Sequence, residues 1–292
     1  MKIVKVSFFR AKGFYFRLNL IFMFFLALTI NNPSFAQKPL LLGVQPFLPY
    51  EKIEENFAPL AAYLSSELDR PVVVRVGGSY QDHIDTIGRN QLDIAYIGSA
   101  PYVAMVKKYG RKPLIVCLET DGSAFFKGMI IARDDHPAES LADLGEGDFA
   151  FVNPHSTMGY LVPKVMLQQD NPLFLANHRY RFLKNHDNVA LGVLAGDFEA
   201  GAVKEGVYQR FKSRGLKILA TTPAIAEHLF IVRSTLADST INQLRAAMLK
   251  LNQDQTRQNV LKSIKTSITG FSLVQDDAYN SLRKILEQAA EK

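Results

Sequence analysis

The 292-residue sequence contains no tryptophan and a single cysteine. One thiol excludes a disulfide framework and a cysteine-built metal centre. Cys117 stands inside the apolar run Leu114-Ile115-Val116-Cys117-Leu118, so it reads as a buried strand residue rather than a reactive thiol. The glycine-rich phosphate loop, the dinucleotide fingerprint and the nucleophile elbow are all missing, which removes the usual sequence grounds for a nucleotide-dependent enzyme or a serine hydrolase. His136, His178 and His228 show no metal-ligand spacing, and His155 beside Ser156 is no nucleophile-base pair merely by adjacency. No repeat of fixed period and no low-complexity tract interrupts the chain.

Acidic residues are absent from the first 36 positions, where Lys2, Lys5, Arg10, Lys12 and Arg17 precede the apolar stretch Leu18 to Ile30 and the small residues Ser34 and Ala36. This is the pattern of a secretory signal peptide. Its apolar core is shorter than the roughly 20 residues that span a bilayer, so cleavage after Ala36 is expected, leaving no membrane anchor, and no cysteine follows to take a lipid. The segment holds 5 of the 34 Lys+Arg and none of the 28 Asp+Glu, so the net charge of +6 becomes 29 minus 28, or +1, in the remaining 256 residues. The basic character belongs to the leader and gives no support to nucleic-acid binding.

What is present is an alternation of strands and helices. Leu40 to Val44 reads as a buried strand. Phe57, Leu60, Ala61, Leu64 and Leu68 recur at helical spacing, with Asn56 as a cap and Pro59 in the first turn. Val72 to Val76, Asp93 to Ile97 and Leu114 to Leu118 are strand-like, separated by helical segments from Tyr80 and from Ser99. Such βαβαβ order implies a mostly parallel sheet, whose ligands sit at the carboxyl ends of the strands. Gly77 to Tyr80 and Gly98 to Tyr102 lie at such ends. The pattern starts again at Phe149 to Val152 and continues through Tyr180 to Leu183, Glu199 to Val203, Leu216 to Ala220 and Leu229 to Val232 before a helical tail.

Between Phe149-Ala150-Phe151-Val152 and a helical run ending near Gln169 stand Asn153-Pro154-His155-Ser156-Thr157-Met158-Gly159-Tyr160. Ser156 and Thr157 supply hydroxyls, the amides that follow are the unpaired ones of a helix N-terminus, and Gly159 admits a close approach to the main chain. The turn suits either a small oxyanion or an ordinary helix cap, and the residues alone leave both open. The basic run Lys107-Lys108 and Arg111-Lys112 reads as a solvated helix face or a docking patch.

The order of these segments resembles the periplasmic substrate-binding proteins of phosphonate, phosphite and phosphate ABC transporters. The matching phrases are Gly77-Gly78-Ser79-Tyr80, Leu92 to Gly98 with Tyr102, Asp121-Gly122-Ser123, Asn153 to Pro163, and His186-Asp187-Asn188-Val189-Ala190-Leu191 through Glu199. The resemblance implies an α/β, two-lobed type II periplasmic binding fold, each lobe a mostly parallel sheet flanked by helices, with ligand in the cleft between them. The expected division is residues 1–36 as signal peptide, 37–127 with 229–292 as lobe 1, and 128–228 as lobe 2.

The same resemblance implies that Ser156, Thr157 and the amides around Met158 and Gly159 grip the oxyanion. His186 would donate from the second lobe, Tyr80 from the first, with Ser99 and Tyr102 at the same rim. Glu199 would select the protonation state or amine of the ligand, where familiar members usually carry Asp. Met158 stands where members often have a further serine, and Ile97 where some have a polar aromatic; together these either make room for an apolar substituent or take the site away from phosphorus ligands altogether. A binder without catalysis or cofactor is expected in the periplasm, delivering a small oxyanion to an inner-membrane ABC permease. The alternatives are a sensing protein that partners a membrane sensor kinase, and an enzyme on the same scaffold, for which His186 with Glu199 is the acid-base pair the sequence offers.

Overall fold

A computed structural model describes residue 1 and residues 37–177 and 179–290; the signal-peptide reading and His178 lie outside the described residues. Strands β1 (Leu40–Val44), β2 (Val72–Val76), β3 (Ile94–Ile97) and β4 (Leu114–Thr120) are joined by helices α1 (Tyr50–Leu68), α2 (Tyr80–Gly88) and α3 (Ser99–Tyr109). The chain then passes through β5 (Phe125–Phe126) into a second set: β6 (Gly128–Arg133), β7 (Phe149–Phe151), α4 (Val162–Asp170), α5 (Phe174–Asn177), β8 (Tyr180–Phe182), α6 (His186–Ala195), β9 (Ala200–Lys204), α7 (Glu205–Phe211) and β10 (Leu216–Thr221). It returns through β11 (Ile225–Ala226) to β12 (Leu229–Val232), α8 (Asp238–Lys250), α9 (Gln258–Ile264), β13 (Ile268–Ser272) and α10 (Asn280–Ala290).

These strands form a six-stranded sheet ordered β13-β4-β12-β3-β1-β2, a five-stranded sheet ordered β10-β6-β9-β7-β8, and a two-stranded ladder of β11 on β5. The expected mostly parallel sheets are in fact mixed. β1, β2, β3 and β4 do point the same way, but β12 is inserted antiparallel between β3 and β4. In the second sheet β7, β8 and β9 are parallel while β6 runs against both β9 and β10. In both places the antiparallel strand follows directly on a short ladder strand, β6 on β5 and β12 on β11, with one or two residues between.

Alternating side chains on the strands feed opposite faces. Ile94 and Tyr96 join the core under α1 and α8, whereas Ala95 and Ile97 join the core that also holds Phe126, Met158, Val162, Ile225 and Tyr279. Two further apolar clusters cover the faces of the five-stranded sheet. Cys117 is buried in β4, and burial pushes its thiol up to about 11, so it serves as packing.

Helix α1 starts at Tyr50 rather than beside Asn56, which leaves Pro59 inside the helix. The missing Pro59 N–H frees the carbonyl of Glu55, an exposed residue, so water replaces the lost bond while Ile53, Phe57, Leu60 and Leu64 hold the helix on the sheet. The basic run on α3 is largely paired internally. Lys108 bridges to Asp85 at 2.9 Å, Arg111 to Asp276 at 2.8 Å, and Lys112 is buried, donating to the Gly88 carbonyl and to Asn90.

Candidate ligand-binding site

The carboxyl ends of the parallel strands gather most of the residues singled out from the sequence. β2 exits into Gly77-Gly78-Ser79 and Tyr80, β3 into Gly98 and Ser99, β7 into the Asn153 to Tyr160 turn, β8 into the His186 helix, and β9 ends on Lys204. Gly98 is the cap of α3 and donates its N–H to Gln45 Oε1 at 2.8 Å, while the next helical amide, Ala100, donates to Thr157 Oγ1 at 3.1 Å. This bond ties a helix N-terminus beside one sheet to the hydroxyl turn of the other.

In that turn Ser156 is the cap of a π-type turn over Thr157–Leu161, and its Oγ accepts from Gly159 N at 3.0 Å. The cap reading is therefore correct for Ser156, and it does not exhaust the residue. Each hydroxyl accepts one amide and retains its own O–H hydrogen, so Ser156 and Thr157 both remain donors. Gly159 also has a packing reason: a Cβ there would lie 2.4 Å from Val152 Cγ2, so the glycine lets the turn pack on the end of β7.

Tyr80 opens α2, and its ring stacks on His155 at 5.4 Å with 13° between the planes. Burial pushes its phenol up to about 12 against a hydrogen bond with Asn153, so it stays a neutral donor and acceptor. Ser99 is fully buried and its hydroxyl donates to the Ala226 carbonyl at 2.6 Å, fixing the start of α3 to the β11 ladder. Burial also lowers His155 below the usual histidine range.

Four expected positions lie elsewhere. Tyr102 is four residues into α3, one turn past its cap, so its side chain faces the helix's inner side; the hydroxyl meets Asp276 at 2.7 Å and the ring packs on Tyr279 at 4.9 Å. Met158 is fully buried, with its sulfur 3.4 Å from the Thr222 hydroxyl, and Ile97 is a core residue of β3. They open no apolar subsite; they fill the core between the sheets. Glu199 precedes the first residue of β9, which puts it at the amino end of a strand whose carboxyl end faces the turn. Its two carboxylate oxygens accept from Gly145 N at 2.7 Å and Gly147 N at 2.9 Å, and His136 Nε2 is 3.4 Å away. The Glu199 carboxylate thus staples the loop before β7. The His186–Glu199 pair is not assembled, because the two residues belong to opposite ends of the sheet.

His186 is the first residue of α6, capped by Asn185, and its Nδ1 accepts the backbone N–H of Lys204 at 3.1 Å. That bond places the ring hydrogen on Nε2, which makes a neutral imidazole a donor. Burial, followed by the charges of Lys204 and Lys265, holds His186 well below the usual histidine range.

The same bond leads to a polar cluster that the sequence reading did not assemble. Lys204 Nζ lies over the Phe126 ring, 4.9 Å from its centroid, and the Phe126 ring packs on His228 at 5.7 Å. His228 is sandwiched on its other side by Tyr96 at 5.6 Å, and its Nδ1 bonds Glu227 Oε2 at 2.8 Å. Glu227 is buried and accepts two further bonds, from the His228 N–H and the Thr120 hydroxyl, both at 2.9 Å. Burial opposes ionisation of Glu227, yet the His228 hydrogen bond and the Lys204 charge outweigh it and keep the carboxyl ionised. Burial and Lys204 push His228 down to about 4, and burial brings Lys204 itself down to about 8. The available signal was positional: Glu227-His228 interrupts apolar sequence just before β12, and Lys204 is the first charge after Ala200-Gly201-Ala202-Val203. His228 had been weighed only as a metal ligand. Among the described residues no group of His, Cys, Asp and Glu is placed to hold a metal ion.

The family of ABC transporter phosphonate periplasmic substrate-binding proteins has a sequence profile that matches residues 42–279, most of the chain. The protein belongs to that family. Within it, the chain is 21% identical over 249 residues to the phosphonates-binding periplasmic protein of Escherichia coli K12, covering 81% of this chain and 74% of that one. It is 23% identical over 210 residues to the phosphate-import protein PhnD of Mycolicibacterium smegmatis, covering 66% and 65%. The solved structure of PhnD1 from Prochlorococcus marinus in complex with methylphosphonate superposes with a TM-score of 0.75 at 19% identity, over 87% of this chain and 99% of that one. The fold is accordingly the two-lobed periplasmic binding fold, and the family is one of transport receptors. Among the described residues no helix is long and apolar enough to cross a membrane.

Proposed function

We propose that this family member is a periplasmic receptor that captures a small phosphorus oxyanion, of the phosphonate, phosphite or phosphate type, between its two sheets and delivers it to an inner-membrane ABC permease. The lobes on this reading are residues 37–127 with 229–292, and 128–228, with β5 and β11 as the hinge. Residues 1–36 act as a cleaved export signal. The observation that carries the proposal is the convergence at the strand exits of donors with hydrogen to spare: the Ser156 and Thr157 hydroxyls, the neutral His186 ring and the Tyr80 phenol. Four hydrogen bonds to an anion at roughly 1.5 to 3 kcal/mol each give about 6 to 12 kcal/mol before the costs of association, against about 8 kcal/mol for micromolar binding. The ligands named for these relatives, phosphonates, phosphate and methylphosphonate, support the same class.

Binding without chemistry fits this constellation, since His186 has a backbone amide and not a carboxylate on Nδ1. The test is a thermal-shift and calorimetric series of the purified protein with phosphite, phosphate, methylphosphonate and 2-aminoethylphosphonate. Saturable stabilisation by at least one of them is expected. A flat response to all four sinks the phosphorus assignment.

A further inference from the structure

A ligand cleft built only of hydroxyls, amides and neutral rings is indifferent to whatever else the ligand carries. This one contains two lysines that nothing in the protein neutralises directly. Lys204, the last residue of β9, is partly buried, and its ammonium makes no ion pair and no hydrogen bond among the described residues; it lies over the face of the Phe126 ring. Lys265, in the turn between α9 and β13, likewise has no side-chain partner there. The one carboxylate that both lysines act on is Glu227. Three donors already occupy it, out of about four lone-pair positions, and two of them belong to His228. With His186 and His228 neutral, the cluster carries two positive charges against one negative.

We propose that Lys204 supplies the counter-charge for the bound anion, with Lys265 reinforcing it, and that the cleft selects phosphorus oxyanions lacking an ammonium group over zwitterionic aminoalkylphosphonates. This rests on the phosphorus-oxyanion reading and sharpens it. Lys204 is placed for the role by its own backbone, whose N–H holds Nδ1 of His186, the imidazole donor of the grip. An ammonium on the ligand would need a free carboxylate or a free aromatic face. Glu227 is committed to Thr120 and His228, and the Phe126 face is covered by Lys204 itself. A ligand ammonium would therefore meet Lys204 and Lys265 with only the already hydrogen-bonded Glu227 carboxylate to offset them. A lysine desolvated beside another cation is costly without an anion, so part of its burial penalty is recovered when an oxyanion arrives.

Calorimetry on the purified protein tests this with methylphosphonate, phosphite and 2-aminoethylphosphonate, on the wild type, Lys204→Met, Lys204→Arg and Lys265→Met. The wild type is expected to bind methylphosphonate or phosphite at least about tenfold more tightly than the aminoalkyl compound. Lys204→Met should lose at least about tenfold in affinity for the anion, Lys204→Arg should retain most of it, and Lys265→Met should lose less than Lys204→Met. If 2-aminoethylphosphonate binds the wild type as tightly as methylphosphonate, the selectivity is wrong while the receptor reading stands. Unchanged anion affinity in Lys204→Met, with an intact melting transition, removes Lys204 from the site. Should Lys204→Met not fold, the wild-type comparison and Lys204→Arg still decide. Absence of binding by all three ligands overturns this inference, and a flat response to phosphate as well overturns the function.

Discussion

Glu199 and Lys204 flank the same strand, β9, with about 16 Å of extended chain between them, and their surroundings are opposite in kind. Glu199 is provided for internally: two loop amides point at its oxygens and His136 stands beside them. Lys204 is also partly buried, but among the described residues its ammonium has no ion pair or hydrogen bond, only the Phe126 ring face and the charge of the nearby Glu227. A charge whose partners are all within the chain is held there for the fold. A charge desolvated without a partner is tolerated where a partner arrives from outside. The difference separates structural from ligand-directed charges more sharply than residue type does, since a carboxylate was the more natural guess for selectivity.

The largest expected effects break this comparison at its structural end. Met158→Ser should cost about 2 to 5 kcal/mol of stability, because it empties a fully buried position and leaves a hydroxyl in the core. Anion affinity should hardly move, measured on protein kept below its lowered melting transition. Tighter phosphite binding in that variant would return Met158 to the cleft. Glu199→Ala should cost about 3 kcal/mol, as two charge-assisted bonds vanish and the Gly145 to Gly147 loop loosens. Again the affinity for methylphosphonate should stay within about twofold, far below the tenfold that one charged contact supplies. A tenfold loss would show that the amino end of β9 talks to the ligand after all.

Thr157 tests the boundary between the two kinds of residue, because it both satisfies the Ala100 amide and keeps a hydrogen for the ligand. Thr157→Val should lower affinity about tenfold and, by orphaning a buried amide, cost about 1 to 3 kcal/mol in stability. Thr157→Ser preserves both bonds and should preserve both properties. If the valine variant melts earlier and binds normally, the hydroxyl belongs to the fold alone.

Much of the fold was legible because apolar runs of strand length and helical periodicity mark elements without reference to what they pack on. The turn at Ser156 was legible because a capping residue announces itself locally, whereas His186 was placed by the family resemblance. What escaped depends on non-local facts. The insertion of β12 between β3 and β4 pairs residues more than 100 positions apart, as in Ile94 with Val232. Glu199 was misplaced because the strand was recognised while its direction through the sheet was not followed to its exit, five residues on. Tyr102 was assigned to the rim by closeness in sequence to Gly98, although one helical turn carries it onto the Asp276 side. The cluster of Thr120, Lys204, Glu227, His228 and Lys265 comes from segments spread over nearly 150 residues, and no spacing rule joins them.

The smallest expected effect is a fraction of a proton, and it bears on Lys204 most directly. Burial lowers this lysine from 10.5 to about 8, with Lys265 lowering it further and Glu227 pulling it back. Between those two values an unfolded chain holds a proton that the folded one lacks, so this group's contribution to stability rises as the pH goes from about 8 toward 10.5. An anion bound against Lys204 favours the charged form and raises the depressed value again. Binding at pH 8, where about half of the free protein has lost this proton, should then take up about half a proton at Lys204, and at pH 6.5 almost none. The neighbouring groups do not titrate in that window: His228, down to about 4, and His186, held well below the usual range, are neutral, while Glu227 is ionised. Calorimetry in buffers of different ionisation enthalpy reads the uptake, and Lys204→Arg is the control, since arginine keeps the charge and cannot release it. The wild type minus the arginine variant cancels the ligand's own protonation. A difference of zero at pH 8, with both proteins binding, would mean that the anion does not sit against Lys204, and the contrast between the two ends of β9 would then be one of structure only.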